Sequence, residues 1–466
     1  MKRIPTLLLL AGLATPACAQ QNPPLATYTV GTTTLTLSAV ANNLNTPWEL
    51  LWGPDNFLWM TERGGRISRI NPTTGQVVPL LTVADVTETG ESGLLGMALH
   101  PDFTTSPFVY IVYNYTDAGA LKEKLVRYTY SATAGTLSSP LILLGNIPAA
   151  TTHSGSRLLI LPDRTLLMTT GDAQQLPEAQ NRASLNGKVL RLNLDGSVPA
   201  TNPTAGSLVY TLGHRNPQGL ARAASGRLYS SEHGPNNDDE VNLIEPGRNY
   251  GWPNVEGFCN LPAEQTFCSA NNVREPLTAY TPTIAVAGLT AYNSPAIPQW
   301  ANSLLMVSLK AGKLTAIQLN AAGDQVTSQA DLWSGTYGRL RAICVSPQGK
   351  VYLTTSNRDG RATPGATDDR LLVLENRAFT PSSTRNAQSA ALSVWPNPAA
   401  RTATVRLPAP ASAALTLHDA VGRLTQTLPM AGRSELVLDL SRLAPGVYTV
   451  RTQLDGTPVQ RKLLVE

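Results

Sequence analysis

The sequence predicts an all-β protein, a six-bladed β-propeller followed by a small C-terminal β-sandwich. At 466 residues the chain is too long for one ordinary core, so two domains are expected. Charged residues make up only 15% of it, and 36 glycines and 35 prolines favour turns and strands over long helices. A unit of two short strands separated by a polar loop recurs six times, which is typical of propeller blades.

The six repeats alternate apolar and polar residues with period two, as antiparallel strands do. They are NFLWMTERGGRISRINP (56–72), FVYIVYNYTDAGALKEKLVRYTY (108–130), RTLLMTTGD continuing to GKVLRLNLDG (164–196), GRLYSSEHGPNNDDEVNLI (226–244), NSLLMVSLKAGKLTAIQLN (302–320) and GKVYLTTSNRDGRATPGATDDRLLVLE (349–375). A strand near Thr27–Val40 precedes them, and we expect it to complete the last blade and close the ring.

Residues 1–19 have the features of a secretory signal peptide. MKRIPTLLLLAGLATPACAQ opens with basic residues, continues with an apolar run and reaches an Ala-Cys-Ala sequence, which predicts cleavage after Ala19. A lipid anchor on Cys18 is the weaker alternative, because Thr15 stands where an aliphatic residue is usual. No later run of about 18 apolar residues follows, so no membrane span is expected. We therefore expect a secreted or cell-surface protein, exported through the periplasm.

Charge and cysteine content limit the partners and the cross-links. The formal charge of +4 falls to +2 once Lys2 and Arg3 leave with the leader, and no basic stripe remains to bind nucleic acid. Export permits disulfides, and Cys259 and Cys268 flank a short loop, so we expect them to pair. Cys344 lies in a strand pattern and is expected to be buried and free.

The composition of the chain changes after Glu375. We expect the propeller over residues 27–378, a polar linker of small residues over 379–390, and the sandwich, with about seven short strands, over 391–466. The C-terminal part contains no histidine–carboxylate or cysteine cluster, so no chemistry is expected there.

Polar residues from the loops of different repeats are expected to converge on one face, near the axis of the ring. They are His153 in TTHSGSRL, Asp172 in TTGDAQ, Arg215 and Asn216 in TLGHRNPQGLA, Lys310 in VSLKAGK, and Arg339 and Arg341 in TYGRLRAI. Four cations aimed at one channel repel each other unless an anion lies among them, and arginine binds carboxylates with two parallel hydrogen bonds. Each arginine alone is equally well explained as a surface residue, but their convergence favours an anion site.

A lone histidine is more often structural than catalytic. His153, however, is one of only five histidines and lies in a Gly/Ser loop at the predicted channel mouth. Imidazole titrates near neutrality and suits a general base. Asp172, one strand further on, is in a position to hold its other ring nitrogen.

The stretch SSEHGPNNDDEVNLIEPGRNYGWPNVEG (230–257) has the features of a hard-cation site. Ca²⁺ prefers oxygen ligands, and the Gly234-Pro235 turn can direct two successive carbonyls to one point. Asp238, Asp239 and Glu240 allow two interpretations: direct ligation of the cation, or acceptance of backbone amides that brace the loop. We favour the second.

Blocks of the sequence in collinear order carry a family resemblance. They are WGPDNFLWMTERGGRISRINP, GLLGMALHPDF, GKVLRLNLDGSVPATNP, TLGHRNPQGLA, SEHGPNNDDEVNLIEPGRNYGWPNV and SLKAG. From about residue 30 to residue 376 the chain resembles the soluble glucose and aldose sugar dehydrogenases that depend on pyrroloquinoline quinone (PQQ). The C-terminal WPNPA…GVYTV…KLLV is similar to the sorting domain of the type IX secretion route.

The resemblance implies a role for each candidate residue. His153 would be the catalytic base that takes the proton of the anomeric hydroxyl while hydride passes to the quinone, with Asp172 orienting it and Arg215 beside it. Gly234 and Pro235 would offer carbonyls to a Ca²⁺ that also binds the quinone. The residues that would hold the cofactor's carboxylates and quinone oxygens are Arg215, Asn216, Lys310, Arg339 and Arg341.

The chain also departs from the glucose enzymes of this family. Glu91, in GESGLLG, stands where they have Gln, as in the broader aldose branch, and is expected to contact substrate. Thr152 replaces the Asp before their histidine, and AYTPTIAVAGLTAYN occupies the place of the insertion that carries their sugar-stacking aromatics. The ligands of their second calcium site lack clear counterparts, so we expect a monomer.

These features predict a secreted, PQQ- and Ca²⁺-dependent enzyme that oxidises aldoses to lactones, passes electrons to an acceptor that the sequence does not identify, and uses the type IX machinery. A Ca²⁺-dependent propeller lactonase or hydrolase is the main alternative, although such sites rely on carboxylate ligands. A non-catalytic binding propeller is the third, and the presence of His153 and of the cationic set disfavours it.

Overall fold

The computed structural model of the protein describes residues 22–380, 392–411, 414–420, 422–454 and 457–466. The predicted leader and nearly all of the predicted linker lie outside these ranges.

The first of two compact units, Met1–Phe379, is built from antiparallel strands. Its strands are β1 (Pro24–Val30), β2 (Thr33–Ala41), β3 (Pro47–Trp52), β4 (Leu58–Glu62), β5 (Arg66–Ile70), β6 (Val77–Thr82), β7 (Leu94–Leu99), β8 (Phe108–Asp117), β9 (Ala120–Ser131), β10 (Thr136–Pro148), β11 (Gly155–Ile160), β12 (Thr165–Thr170), β13 (Lys188–Asn193), β14 (Val209–Leu212), β15 (Pro217–Arg222), β16 (Leu228–Glu232), β17 (Asp239–Ile244), β18 (Thr278–Tyr280), β19 (Val286–Tyr292), β20 (Ser303–Ser308), β21 (Leu314–Leu319), β22 (Val326–Asp331), β23 (Leu340–Val345), β24 (Val351–Thr355) and β25 (Leu371–Glu375). Five sheets contain four consecutive strands each, beginning at β3, β7, β11, β15 and β19, and the sixth has the order β1-β2-β25-β24-β23.

The N-terminal strands complete the sixth sheet, as the sequence predicted. β2 pairs with β25, with Thr36 opposite Glu375 and Leu37 opposite Leu374. The single strand predicted over 27–40 is two strands, because Gly31 adopts a φ of +56° and turns the chain between β1 and β2. Main-chain hydrogen bonds therefore join the two ends of the unit.

The six sheets follow one another in a closed cycle. We call β3, β7, β11, β15, β19 and β23 the first strands of the six sheets. Each packs against the first strand of the next sheet, and β23 packs against β3. Apolar cores fill the space between neighbouring sheets, and one of them joins Leu37 and Leu353 of the sixth sheet to Leu305 of the fifth. This propeller-like arrangement places the first strands around a common axis.

The loops define two faces of the ring. We call one end of the sheets the upper face. It carries the segments that precede a first strand and the segments that join a second strand to a third. In the third sheet, for example, Gly155 at the start of β11 is opposite Thr170 at the end of β12, and Thr170 is opposite Lys188 at the start of β13. Segments that join a first strand to a second, or a third to a fourth, lie at the other end, the lower face. The site residues that the sequence predicts all lie in or next to upper-face segments.

A helix that the sequence analysis did not anticipate lies between β17 and β18. This helix, α1 (Pro262–Ala270), begins at a proline, and Glu264 accepts hydrogen bonds from the amides of Asn260 and Leu261 at 3.2 and 3.0 Å. Two single-turn 3-10 helices, Leu176–Ala179 and Pro298–Trp300, lie elsewhere in the unit.

The predictions for the cysteines are confirmed. Cys268, in α1, is bonded to Cys259 and so fastens the helix to the preceding loop. Cys344 is buried and free. In the parts of the chain that the structure describes, no helix is long and apolar enough to cross a membrane.

The second unit, Thr380–Glu466, contains seven strands among its described residues, close to the number predicted. They are β26 (Ser393–Trp395), β27 (Thr402–Ala411), β28 (Leu415–His418), β29 (Leu424–Leu428), β30 (Arg433–Asp439), β31 (Gly446–Leu454) and β32 (Thr457–Val465). One sheet has the order β26-β27-β30 and the other the order β29-β28-β31-β32. A single apolar core draws residues from both, among them Val405, Leu417 and Val450.

Candidate active site

His153 and Asp172 meet on the upper face. His153 precedes β11 and Asp172 follows β12, and the antiparallel pairing of these strands brings the two residues together. Nδ1 of His153 lies 2.8 Å from Oδ1 of Asp172. The carboxylate is fully buried, whereas 18% of the histidine side chain is exposed. The ring is therefore held from the protein side and remains accessible from solvent.

Asp172 is itself fixed by further contacts. Its Oδ2 accepts a hydrogen bond from Nε1 of Trp252, and its Oδ1 accepts one from the amide of Gln174, both at 2.8 Å. Its own amide donates to the carbonyl of Arg215 at 2.8 Å. A buried carboxylate in this setting accepts the proton on Nδ1 of His153, which leaves Nε2 as the basic nitrogen of the neutral ring.

Arg215 lies next to this pair. Its guanidinium carbon is 5.3 Å from the ring centroid of Trp252, and its Nη1 donates to the carbonyl of His233 at 3.3 Å. Its Nε is buried and has no hydrogen-bond partner among the described residues. Burial lowers the pKa of Arg215, an effect opposed by the charges of Asp172 and Glu232.

Glu232 organises the segment that carries Arg215 and Asn216. Its Oε1 accepts the amides of both residues, that of Asn216 at 3.2 Å. Its Oε2 lies 2.8 Å from Nδ1 of His214, which is completely buried and therefore structural. Oδ1 of Asn216 in turn accepts the amide of Gly155 at 3.1 Å, so the segments before β11 and β15 are tied together.

Asp239 braces the turn at Gly234 and Pro235. Its Oδ1 accepts the amide of Gly234 at 2.9 Å, and its Oδ2 accepts the amides of Ile284 and Ala285 at 2.7 and 2.6 Å. A Cβ at position 234 would come within 1.9 Å of a backbone oxygen, so the turn requires glycine.

The other two acids of this loop also have partners within the protein. Asp238 accepts a hydrogen bond from the hydroxyl of Thr281, and Glu240 accepts the amide of Gly257 at 3.0 Å. Burial, together with the charge of Glu232, raises the pKa of Glu240 to about 8. Asp239 and Glu240 thus accept backbone amides, which agrees with the favoured interpretation.

A small cavity lies beside the turn. It holds about 20 Å³, room for roughly one water or ion. Its lining includes Arg215, Glu232, His233, Gly234, Pro235, Asp238, Glu240 and Trp252. In the described parts of the chain, no group of three or more His, Cys, Asp or Glu side chains is arranged to hold a metal ion. Gly234 and Pro235, which line this cavity, have backbone carbonyl oxygens of the kind that Ca²⁺ prefers as ligands.

Lys310 joins the site through the fifth sheet. Its Nζ lies 3.3 Å from the hydroxyl of Thr283, and its amide donates to the carbonyl of Ile284 at 3.1 Å. Asp239 accepts the amides of both Ile284 and Gly234, so three successive hydrogen bonds connect Lys310 to the turn. The side chain of Lys310 is exposed.

Arg339 and Arg341 share one buried anion. Nε of Arg339 lies 2.7 Å from Oδ2 of Asp359, and Nη2 of Arg341 lies 4.0 Å from the same oxygen. Nη1 of Arg341 donates to Oε1 of Gln218 at 2.6 Å, and burial lowers the pKa of this arginine to about 10. The cations predicted at this site are thus partly balanced from within the chain, by an acid that the sequence analysis did not single out.

Glu91 lies on the segment that precedes β7. Its amide donates to the carbonyl of Thr151 at 2.7 Å, and its Oε1 lies 3.4 Å from Nη2 of the exposed Arg361. Burial lowers the pKa values of Arg215 and Arg341, and the charge of Glu91 partly opposes this lowering, so Glu91 lies within electrostatic range of both.

Four residues of the site were not identified from the sequence. Glu232, His233 and Asp359 lie in the parts of the repeats that form the upper face. This position in the repeat is the feature of the sequence from which they could have been identified. Trp252 offered no such signal, because it lies 80 residues from the aspartate that it contacts.

Buried polar atoms without a protein partner indicate where a bound group fits. Among the described residues these include Nε of Arg215, Nε of Arg341 and Nε2 of His233. Leaving such an atom unpaired costs about 1–3 kcal/mol. The cationic donors fit a ligand with several carboxylates, and the carbonyl turn fits a hard cation.

Comparison with known proteins identifies the family. The model for Glucose / Sorbosone dehydrogenase matches residues 44–364. The chain belongs to the glucose/sorbosone dehydrogenase family. The model for the Secretion system C-terminal sorting domain matches residues 393–466. Both resemblances drawn from the motif blocks are confirmed.

Two curated relatives and one solved structure match most of the chain. Quinoprotein glucose dehydrogenase B of Acinetobacter calcoaceticus is 34% identical, over 69% of this chain and 85% of the relative. Aldose sugar dehydrogenase YliI of Escherichia coli strain K12 is 31% identical, over 70% of this chain and 91% of the relative. The PQQ-bound aldose sugar dehydrogenase of Streptomyces coelicolor superposes with a TM-score of 0.65 at 34% identity, covering 73% of this chain and 98% of that one.

Proposed function

We propose that the protein is a secreted quinoprotein dehydrogenase that uses PQQ and Ca²⁺ to oxidise the anomeric carbon of aldoses to lactones. The observation that carries the proposal is the His153–Asp172 pair, which leaves one basic nitrogen free beside a group of partly unpaired cations. The quinoprotein and aldose sugar dehydrogenases among its relatives, and the PQQ-bound neighbour, support the choice of cofactor and substrate class.

His153 acts as the general base. Nδ1 carries the proton that Asp172 accepts, so Nε2 is available to take the proton of the anomeric hydroxyl. Asp172 then faces an imidazolium and stabilises its charge at 2.8 Å. Glu91, within electrostatic range of Arg215, contacts the sugar.

The cofactor and the metal bind beside this base. The carboxylates and quinone oxygens of PQQ would be held by Arg215, Asn216, Lys310, Arg339 and Arg341, and Ca²⁺ would be held by the carbonyls of Gly234 and Pro235. When bound, PQQ supplies the acceptor for the hydride and Ca²⁺ supplies Lewis-acid polarisation. Arg215 belongs to both the catalytic and the cofactor-binding set, since it lies against the partners of Asp172 and lines the cavity at the turn.

The architecture is a six-bladed β-propeller over residues 27–378, a linker over 379–390 and a C-terminal β-sandwich over 391–466. The leader, residues 1–19, directs entry into the periplasm, and the sandwich directs passage through the type IX machinery. The match of residues 393–466 to the sorting-domain model supports this route. The mature enzyme is a monomer.

Reconstitution tests the function. Purified apoprotein supplied with Ca²⁺ and PQQ should reduce an artificial dye when an aldose is added, and should not do so without PQQ. Demonstrable PQQ binding with no dye reduction across a broad aldose panel would indicate a binding protein. Hydrolysis of lactones without PQQ would indicate a hydrolase.

A further inference from the structure

We propose a second saccharide-binding site, on the lower face of the ring between the first and the sixth sheet. A cavity of about 510 Å³ lies there. This volume is within the range of about 300–1,000 Å³ that is usual for small-ligand pockets. Its lining comprises Asn22, Trp52, Asn56, Pro72, Thr73, Gln348, Lys350, Tyr352, Val373 and Glu375.

The cavity is separate from the candidate active site. Residues 53–56 and 348–350 belong to segments that join a first strand to a second, and residues 72–73 join a third strand to a fourth. All three segments lie on the lower face, opposite the face that carries His153. None of the described residues that line the cavity belongs to the candidate active site.

An aromatic surface on one side of the cavity provides the apolar contacts of a saccharide-binding site. Trp52, the last residue of β3, is partly exposed, and its ring centroid lies 5.7 Å from that of the buried Tyr352 at an angle of 37°. An indole supported from behind by a second ring is a rigid platform, with little side-chain entropy left to lose. The apolar C–H face of a pyranose ring packs on such a surface.

Polar side chains of the cavity provide the hydrogen-bonding groups of such a site. A sugar hydroxyl is both a donor and an acceptor, and so are the amides of Asn56 and Gln348, which are exposed at the rim. Nζ of Lys350 lies 2.5 Å from Oε2 of Glu375, so the charges at the wall are paired rather than open to a free ion. Balanced charge and exposed amides favour a neutral saccharide over an anion.

A peptide fits this cavity less well. Among the described residues that line it, Pro72 and Val373 are the only aliphatic ones, so the cavity has little apolar surface to bind the side chains that usually anchor a peptide. Binding of a sugar here would hold the enzyme near polymeric or surface-bound saccharides while the upper face remains open.

Calorimetric and indole-fluorescence titrations of the full-length apoprotein with cellobiose and maltose test the site. PQQ is absent, so no turnover occurs and the result does not depend on the proposed dehydrogenase activity. We expect saturable binding that W52A weakens at least tenfold and Q348A weakens measurably. H153A, on the upper face, should bind as the wild type does.

Q348A is informative even if W52A is poorly folded, because Gln348 is an exposed loop residue. Wild-type affinity in both variants would overturn the proposal, and so would a failure of both disaccharides to bind. Loss of binding in H153A alone would also overturn it, by assigning the bound sugar to the upper face.

Discussion

His153 is held in an unusual backbone conformation. Its φ is +62°, in the left-handed region that non-glycine residues rarely occupy, at a typical cost of about 1–3 kcal/mol. Contacts of Asp172 hold His153 in this conformation. The carboxylate that binds the ring is itself fixed by Trp252 and by the amide of Gln174. The strained backbone of His153 and the ring orientation fixed by Asp172 both favour a catalytic role for this residue.

Replacing His153 with alanine should reduce turnover by roughly 10²–10⁴-fold, the usual share of a general base. PQQ binding should survive, because the histidine is not among the residues proposed to hold PQQ. Dye-linked turnover and PQQ titration measure the two effects, with H418A, in the C-terminal unit, as the control. Nearly unchanged turnover in H153A would show that the histidine is structural.

Lys310 provides a test of the cofactor-binding residues. K310A should weaken PQQ binding by about 1.5–3 kcal/mol, roughly ten- to 150-fold, as expected for a charge-assisted contact. K313A is the matched control, because Lys313 lies nearby in the chain but its Nζ is 2.7 Å from Asp331. Equal PQQ affinity in K310A and K313A would contradict the assignment of Lys310 to the cofactor.

Among the structural elements, β9 and β11 share a buried acid. Glu123 in β9 accepts a hydrogen bond from the hydroxyl of Ser156 in β11 at 2.6 Å, three residues after His153. Burial raises the pKa of Glu123 to about 8 from its usual 4.5. The folded protein therefore keeps a proton that the unfolded chain releases between these pH values.

The free energy of unfolding should accordingly fall as the pH rises from about 4.5 to 8, by up to a few kcal/mol at about 1.4 kcal/mol per pKa unit. E123Q cannot release this proton, so its stability should fall less over the same range. Thermal unfolding of the wild type, E123Q and the exposed control E275Q, measured between pH 5 and 8.5, checks this. Parallel pH curves for the wild type and E123Q would contradict it.

In the proposed calcium site the loop from Gly234 to Asp239 would provide carbonyl oxygens, because the carboxylate of Asp239 already accepts backbone amides. Carboxylate ligands set much of the affinity for calcium, so this loop alone should bind Ca²⁺ weakly. If a carboxylate of PQQ completes the site, each ligand strengthens the other by the same factor. Calorimetric titration of Ca²⁺ with and without PQQ should show tighter binding in its presence. Equal affinities would locate the metal elsewhere.

At the scale of the whole molecule, the two units have separate apolar cores. All the candidate site residues lie in the first unit, and the sorting-domain match lies in the second. Activity and export should therefore be separable.

Removing the chain from about residue 385 onward should leave a folded, active enzyme that accumulates in the periplasm. Dye-linked activity in the periplasmic and extracellular fractions measures both effects, with H418A in the full-length chain as the control. An insoluble truncated protein would show that the first unit needs the second in order to fold.

Much of this protein was predictable from short-range patterns. The period-two repeats gave the strands, the closely spaced Cys259 and Cys268 gave the disulfide, and the Gly234-Pro235 sequence gave the tight turn. Each of these features depends on residues close together in the chain, where periodicity and backbone restrictions act directly.

Tertiary contacts account for the rest. Trp252 reaches Asp172 across 80 residues, and Asp359 contacts Arg339 and Arg341 because the pairing of β24 with β23 brings the segment after β24 next to the start of β23. The helix over 262–270 went unpredicted because its start signals, a proline followed by a glutamate, lie in a short loop between two cysteines. Short-range patterns in the sequence specify the strands, the turn and the motif residues of the site. The buried groups that neutralise and orient these residues follow from three-dimensional packing, because such partners are selected by distance in space rather than in the chain.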